Sequence, residues 1–341
     1  MKAVEAEQQT LETAREQLGA DKVPFVWDMA FVEIFAGDAK KAGFDLVLGN
    51  PPYVGKDKIA DPFGAVSPAV YKDRLQNSAR DAYPHWLKSR KLDGQNDLYI
   101  YFFLLGQRLL APNGMFAFIT SNSWLDVGYG KDLQEFLLEY GDARLIFDNE
   151  AKRSFAAADV NTAIAILGAP SSVPKPAEPP RDTRFVMWRV PFESSFSPIL
   201  WDEVNDSQSR KTYAEFRVCP LSSGELLREG SEKTDKGGEK YTGNKWGGKY
   251  LRAPEIYFTL LEKSAIAPLG SFARIKLGIT SCDNNFFYLN SEIIDTWEIE
   301  SRFVEGMMKS PQDSKGIFVE KDSLNTSVFL CNEEKSSVMA Q

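Results

Sequence analysis

An apolar run, Phe44-Asp45-Leu46-Val47-Leu48, closes at Gly49 and passes directly into Asn50-Pro51-Pro52-Tyr53. No other feature constrains the fold of this chain as much. Neither proline has an N–H to give to a sheet ladder, and each forces the residue before it into extended geometry, so a buried strand must end here in a rigid turn. The rhythm continues downstream. Residues 96–111 are apolar around most of a helix surface and stop at Pro112-Asn113-Gly114. Residues 115–120 read as a second buried strand, 131–140 as an amphipathic helix, 144–147 as a third strand, and 160–167 as a β-branched, Ala-rich fourth. Strands alternating with helices at this spacing predict an α/β fold with a doubly wound sheet. Ligands of such sheets lie beyond the carboxyl ends of the strands, where the double-proline turn falls.

Length and composition set the outer limits. A chain of 341 residues, 43% hydrophobic and 26% charged, has the make-up of a globular protein with two or three compact units. The longest apolar runs, such as 98–105, fall far short of the ~20 residues of a membrane span, and the polar, Glu-containing start does not read as a signal peptide. A cytoplasmic address is expected. Residues 3–19, with Val4, Leu11 and Leu18 in one stripe, read as a surface helix. Cys219, Cys282 and Cys331 are too widely spaced for a metal knuckle, and His85 is the sole histidine, so metal chemistry is not expected. Five prolines between 169 and 183 mark a linker. Beyond it, β-like pieces are expected at 184–190, 213–218, 272–277 and 285–289, with one helix at 254–263 and a mobile Gly- and Lys-rich stretch at 233–248. The net charge is −8, yet residues 233–276 hold nine Lys/Arg against four Asp/Glu, a local +5, whereas 277–341 hold five against eleven, a local −6. A basic strip within an acidic chain is a candidate phosphate contact.

The turn itself carries chemistry. Proline-rich backbone exposes carbonyl acceptors, so the Asn50 amide oxygen and the Pro51 carbonyl can take both hydrogens of a planar exocyclic amine. Such an amine is a poor nucleophile because its lone pair is delocalised into the ring. Two acceptors placed for a tetrahedral nitrogen favour the transition state over the flat ground state. Tyr53 offers an aromatic face for stacking a base, and a base inside a duplex could reach the turn only by flipping out.

With these residues the sequence resembles the DNA amino-methyltransferases that act on adenine N6, especially those of TaqI type with a C-terminal recognition domain. Asp97-Leu98-Tyr99 and the apolar helix after it, then Leu109 to Gly114 and Phe116 to Leu125, are similar to the family's helix and strand following the catalytic turn. Ser154-Phe155 with Val160 to Ile164 is similar to the later motif whose Phe packs on the flipped adenine. The resemblance implies a Rossmann-like methyltransferase sheet in 1–168, a linker at 169–183, and an incomplete α+β target-recognition domain in 184–341. It further implies that Asn50 and Pro51, with Pro52 in the turn, hold the amine and that Tyr53 and Phe155 sandwich the base. Asp97, Leu98 and Phe102 would lie near the adenosyl group of S-adenosylmethionine. The stretch Lys245 to Pro254 resembles the recognition-domain entrance of type IIG and phage-defence methylases. By that resemblance Lys245, Lys249, Arg252 and Lys276 are expected on the phosphates of double-stranded DNA, with Trp246 or Tyr250 near the grooves.

One departure stands out. The family carries a strand and a Gly-rich cofactor turn before the catalytic turn, followed by an acidic residue for the ribose, and neither is visible here. Gly128-Tyr129-Gly130 lies after the second strand instead and reads as a loop. The expectation is therefore a fragment, inactive alone, whose cofactor turn comes from an upstream chain or segment. Two rivals remain at this point: a protein-glutamine methyltransferase of release-factor type, and a non-catalytic DNA-binding remnant.

Overall fold

The computed structural model describes residues 25–36, 42–88, 90–150, 161–171, 174, 182–194, 197–234, 237–263, 267, 269–274, 278, 280–314, 316, 319 and 323–332. The expected helix at 3–19 lies outside these. The chain divides into two compact units, Met1–Glu262 and Lys263–Gln341.

The first unit is built on a seven-stranded mixed sheet in the order β1-β2-β4-β3-β5-β7-β6. Its strands are β1 (Phe44–Gly49), β2 (Leu110–Ser121), β3 (Asp142–Asn149), β4 (Thr162–Gly168), β5 (Asp182–Trp188), β6 (Lys211–Thr212) and β7 (Phe216–Ser222). β1 and β2 run parallel, as do β3 and β5, but β4 is antiparallel to both of its neighbours. The sheet is thus wound only in part. The strand after the Pro-rich segment joins the same sheet, pairing β5 with β3 in parallel and with β7 antiparallel. The expected division at 169–183 therefore falls inside one sheet, and the compact unit runs on to Glu262.

Helix α1 (Pro68–Ala82) starts on Ser67, whose hydroxyl accepts Val70 N–H at 3.4 Å, with Pro68 preset for the first turn. Helix α2 (Leu98–Gln107) is apolar all round and mostly buried, with Tyr99, Ile100, Phe103 and Leu104 in the core. It ends earlier than its apolar pattern, because Leu110 is already in β2; residues 111–114 are accommodated where the β1–β2 register shifts between Phe44 and Leu46. Helix α3 (Gly130–Glu139) buries Leu133, Phe136 and Leu137 on the same face. The other face of β3, β5 and β7 packs Phe147, Val186, Trp188, Phe216 and Val218 against Val204 of helix α4 (Pro198–Asp206).

Two regions differ from their patterns. The stretch expected to be mobile contains a hairpin, β8 (Ser231–Lys233) with β9 (Glu239–Tyr241), and the buried Tyr241 hydroxyl donates to Gln134 Oε1 of α3 at 2.9 Å. One anchoring hydrogen bond to a buried acceptor outweighs a Gly- and Lys-rich composition. Within the second unit, an antiparallel sheet orders β10 (Tyr288–Leu289), β12 (Thr326–Phe329) and β11 (Val304–Met307) around Leu289, Phe303 and Val328. Asn284–Phe287 is a short helix capped by Asp283 rather than a strand, and residues 272–274 are not in a strand.

β1 ends the sheet. Among the described residues its outer edge has no partner strand. Val47 packs on the core, whereas Leu46 and Leu48 are 55% and 67% exposed. Gly49 closes the strand because a Cβ there would run into the Phe118 ring of β2.

Candidate active site

Asn50-Pro51-Pro52-Tyr53 leaves the carboxyl end of β1, in register with the end of β2, where Gly49 pairs with Phe118. Pro51 is buried and Asn50 is exposed, so the turn is anchored at its second residue and presents its first. The Tyr53 hydroxyl donates to Asn50 Oδ1 at 2.7 Å and lies 3.2 Å from the Ile119 carbonyl of β2. Burial pushes the Tyr53 phenol above its ordinary pKa, so it keeps its proton at neutral pH and serves as a donor. Asn50 Oδ1 has two lone pairs, and one remains open beside this bond.

The chain leaving the turn is pinned to α2. Leu98 N–H donates to the Val54 carbonyl at 2.9 Å, and Lys56 N–H donates to Asp97 Oδ1 at 3.1 Å. The Asp97 Oδ2 oxygen accepts the Tyr129 hydroxyl at 2.6 Å. A cavity of about 1070 Å³ opens beside the turn and is lined by Asn50, Pro51, Pro52, Leu98 and Phe102 among others. The structure thus gathers five of the expected site residues around one space. Its walls are largely apolar, with Phe102 on α2 being 42% exposed. Tyr53 and Asp97 are bonded to Asn50 and to the turn's exit respectively. Phe155 lies outside the described residues.

The residues expected on DNA are dispersed. Trp246 is fully buried between Trp124 and Phe185, and Tyr250 is 7% exposed with its hydroxyl donating to Glu229 at 2.6 Å. The segment 247–252, a single wide helical turn, packs Tyr250 and Leu251 into the sheet's core. Lys249 is paired with Glu229. Arg252 is paired with Asp126 and, at 3.4 Å, with Asp148. Carboxylates distant in sequence thus close on both cations, each of which stays partly exposed. Lys245 is exposed, and Lys276 lies outside the described residues. Sequence reasoning missed Tyr129, whose role follows from its partner Asp97; its Gly-Tyr-Gly setting had suggested only a loop.

Known restriction-modification methylases are similar to this chain. Residues 2–155 match the family described as Eco57I restriction-modification methylase. A stretch of 98 residues is 33% identical to the type II methyltransferase M.XamI of Xanthomonas campestris pv. amaranthicola, covering 29% of this chain and 16% of that protein. Among solved structures, the type IIG restriction endonuclease BpuSI is similar with 17% identity and a TM-score of 0.46, over 86% of this chain and 33% of that one. The type IIL restriction-modification enzyme MmeI, solved in complex with DNA, is similar with 14% identity and a TM-score of 0.42, over 86% and 30%. The chain therefore spans about a third of those enzymes. Among the described residues no helix is long and apolar enough to cross a membrane, and no three His, Cys, Asp or Glu side chains are grouped to hold a metal ion.

Proposed function

We propose that this chain carries the catalytic turn of a DNA methyltransferase that moves a methyl group from S-adenosylmethionine to the N6 amine of a flipped adenine. The observation that carries the reading is Asn50 Oδ1, oriented by the Tyr53 hydroxyl at 2.7 Å and exposed at the wall of the apolar cavity. Asn50 and the Pro51 carbonyl would take the two amine hydrogens as the nitrogen becomes tetrahedral, with Pro52 holding the turn and Phe155 completing the base's stacking pocket with the Tyr53 ring. Leu98 and Phe102 give the apolar wall that suits an adenosyl ring; the cofactor, when bound, supplies an electrophilic methyl group. Asp97 accepts one hydrogen bond at each oxygen, from Lys56 N–H and the Tyr129 hydroxyl, which ties it to the turn's exit; its remaining lone pairs leave a cofactor contact open as well.

The reading includes double-stranded DNA and an upstream segment as partners, in a cytoplasmic restriction-modification or phage-defence setting. Among the described residues the outer edge of β1 has no partner strand, and its Leu46 and Leu48 are exposed, which supports completion of the sheet by a further strand. We assign target recognition chiefly to 263–341, which falls in the second compact unit, apart from the unit that holds the Asn50 turn. Lys245, exposed beside the buried Trp246, is retained as a phosphate contact.

Two measurements test the reading. Mass spectrometry of nucleosides from DNA incubated with the assembled enzyme should show N6-methyladenine. Label confined to N4-methylcytosine or to protein glutamine would overturn it, and no label would favour a DNA-binding remnant. Titration calorimetry of this chain alone should show no tight S-adenosylmethionine binding; micromolar affinity would mean that no upstream segment is required for the cofactor.

A further inference from the structure

Asp97 joins three separate pieces of the molecule. Its Oδ1 accepts Lys56 N–H at 3.1 Å, from the chain leaving the catalytic turn, and its Oδ2 accepts the Tyr129 hydroxyl at 2.6 Å. It is itself the residue before α2, and the next N–H, of Leu98, closes on Val54 O at 2.9 Å. Val54 and Lys56, one and three residues after Tyr53, are therefore held by one element at two adjacent points. Tyr129 is held in turn. Its hydroxyl lies 3.0 Å from that of Tyr99, which is buried on α2. The next residue, Gly130, packs so closely on the Trp124 carbonyl that any Cβ would collide with it. Burial raises both phenols well above their ordinary pKa, so both remain protonated across the neutral range.

We propose that Asp97 and Tyr129 form a positioning strut for the Asn50-to-Tyr53 turn, and that Asp97 acts through backbone placement rather than by touching the cofactor. This rests on the methyltransferase reading above. The physical need is plain. An acceptor that must meet a nitrogen in its transition-state geometry loses effect steeply with displacement, about 100-fold for a shift near 1 Å. Within the turn, buried Pro51 and the Tyr53 hydroxyl hold Asn50, but the chain then leaves through Gly55, so the exit of the turn needs a constraint of its own. A carboxylate with one oxygen on the turn's exit and the other on the hydroxyl of Tyr129, whose neighbour Gly130 packs on the Trp124 carbonyl, supplies that constraint. Charged acceptors make the stronger hydrogen bonds, which suits a strut of only two.

The test uses two variants. Tyr129→Phe removes one hydroxyl and keeps the ring; Asp97→Ala removes both anchor points. In this chain, hydrogen exchange over 54–58 should speed up by about fivefold or more in both, in Asp97→Ala because the acceptor of Lys56 N–H is lost and in Tyr129→Phe because that acceptor is no longer held in place, while the core of α2 keeps its protection. In the assembled enzyme, Tyr129→Phe should lower kcat for adenine methylation about tenfold or more with the cofactor KM within twofold. The proposal is overturned if Tyr129→Phe leaves both exchange and kcat at wild-type values. It is equally overturned if Asp97→Ala raises cofactor KM tenfold at unchanged kcat, the signature of a direct cofactor contact. Should the wild-type enzyme methylate no adenine, the functional reading fails on that result, and the exchange data still decide whether the strut exists.

Discussion

Asn50→Ala in the assembled enzyme is expected to lower kcat for adenine methylation by about 100-fold or more, the usual loss for one hydrogen bond made chiefly in the transition state. The substitution should leave the fold intact. Asn50 is exposed, and the Tyr53 hydroxyl that loses its 2.7 Å partner still has the Ile119 carbonyl at 3.2 Å, so no buried donor is stranded. DNA affinity should stay within about twofold, because protein–DNA affinity comes mostly from phosphate contacts and Asn50 makes none in the proposed arrangement. Radiolabel transfer under single-turnover conditions, set beside a binding isotherm, separates the two effects. Retention of more than a tenth of wild-type kcat would remove Asn50 from the proposed role, since the Pro51 carbonyl alone would then suffice.

The sequence made β1 and its turn legible because the signal is local: two prolines cannot continue a ladder, and the apolar run before them has strand length. α2 was legible for a similar reason, since a helix apolar on every side has nowhere to go but the core. What escaped notice depended on partners remote in sequence. The local +5 of residues 233–276 suggested free cations, yet the Arg252 guanidinium meets Asp126, 126 positions away, and Asp148, 104 positions away. A charge count along the chain cannot see such pairing. Asp97 illustrates the same limit within the site. Its place before α2 does not reveal that Lys56 N–H, 41 residues earlier, and the Tyr129 hydroxyl, 32 residues later, both close on it. The Pro-rich segment likewise looked like a domain linker, because prolines record where a ladder pauses and not whether the next strand returns to the same sheet, as β5 does beside β3.

Trp246→Ala gives the largest expected loss of stability, about 3–5 kcal/mol, the range for removing a fully buried large aromatic. Trp246 is 0% exposed, with ring centroids 5.9 Å from Trp124 and 5.5 Å from Phe185, both in edge-on geometry. Such pairs contribute beyond the area they bury. The cavity left behind would lie where Trp124 from the turn after β2, Phe185 from β5 and the segment 247–252 meet, so three elements lose contacts together. Collapse is restrained, because Gly248 N–H is tied to Asp126 at 2.7 Å and Tyr241 is tied to α3. For a unit of this size each kcal/mol moves Tm by roughly 2–4 °C, so a fall of about 10 °C is expected in calorimetry. Lys245→Ala is the matched control: one residue away and exposed, it should leave Tm within about 1 °C. The pair separates the two roles that the Lys245–Trp246 sequence suggested. If Trp246→Ala weakened DNA binding with Tm unmoved, the indole would be reading nucleic acid and its burial in the core would be wrong. If instead Tm falls and Lys245→Ala alone lowers affinity and flattens its salt dependence, packing and phosphate contact belong to adjacent residues facing opposite ways.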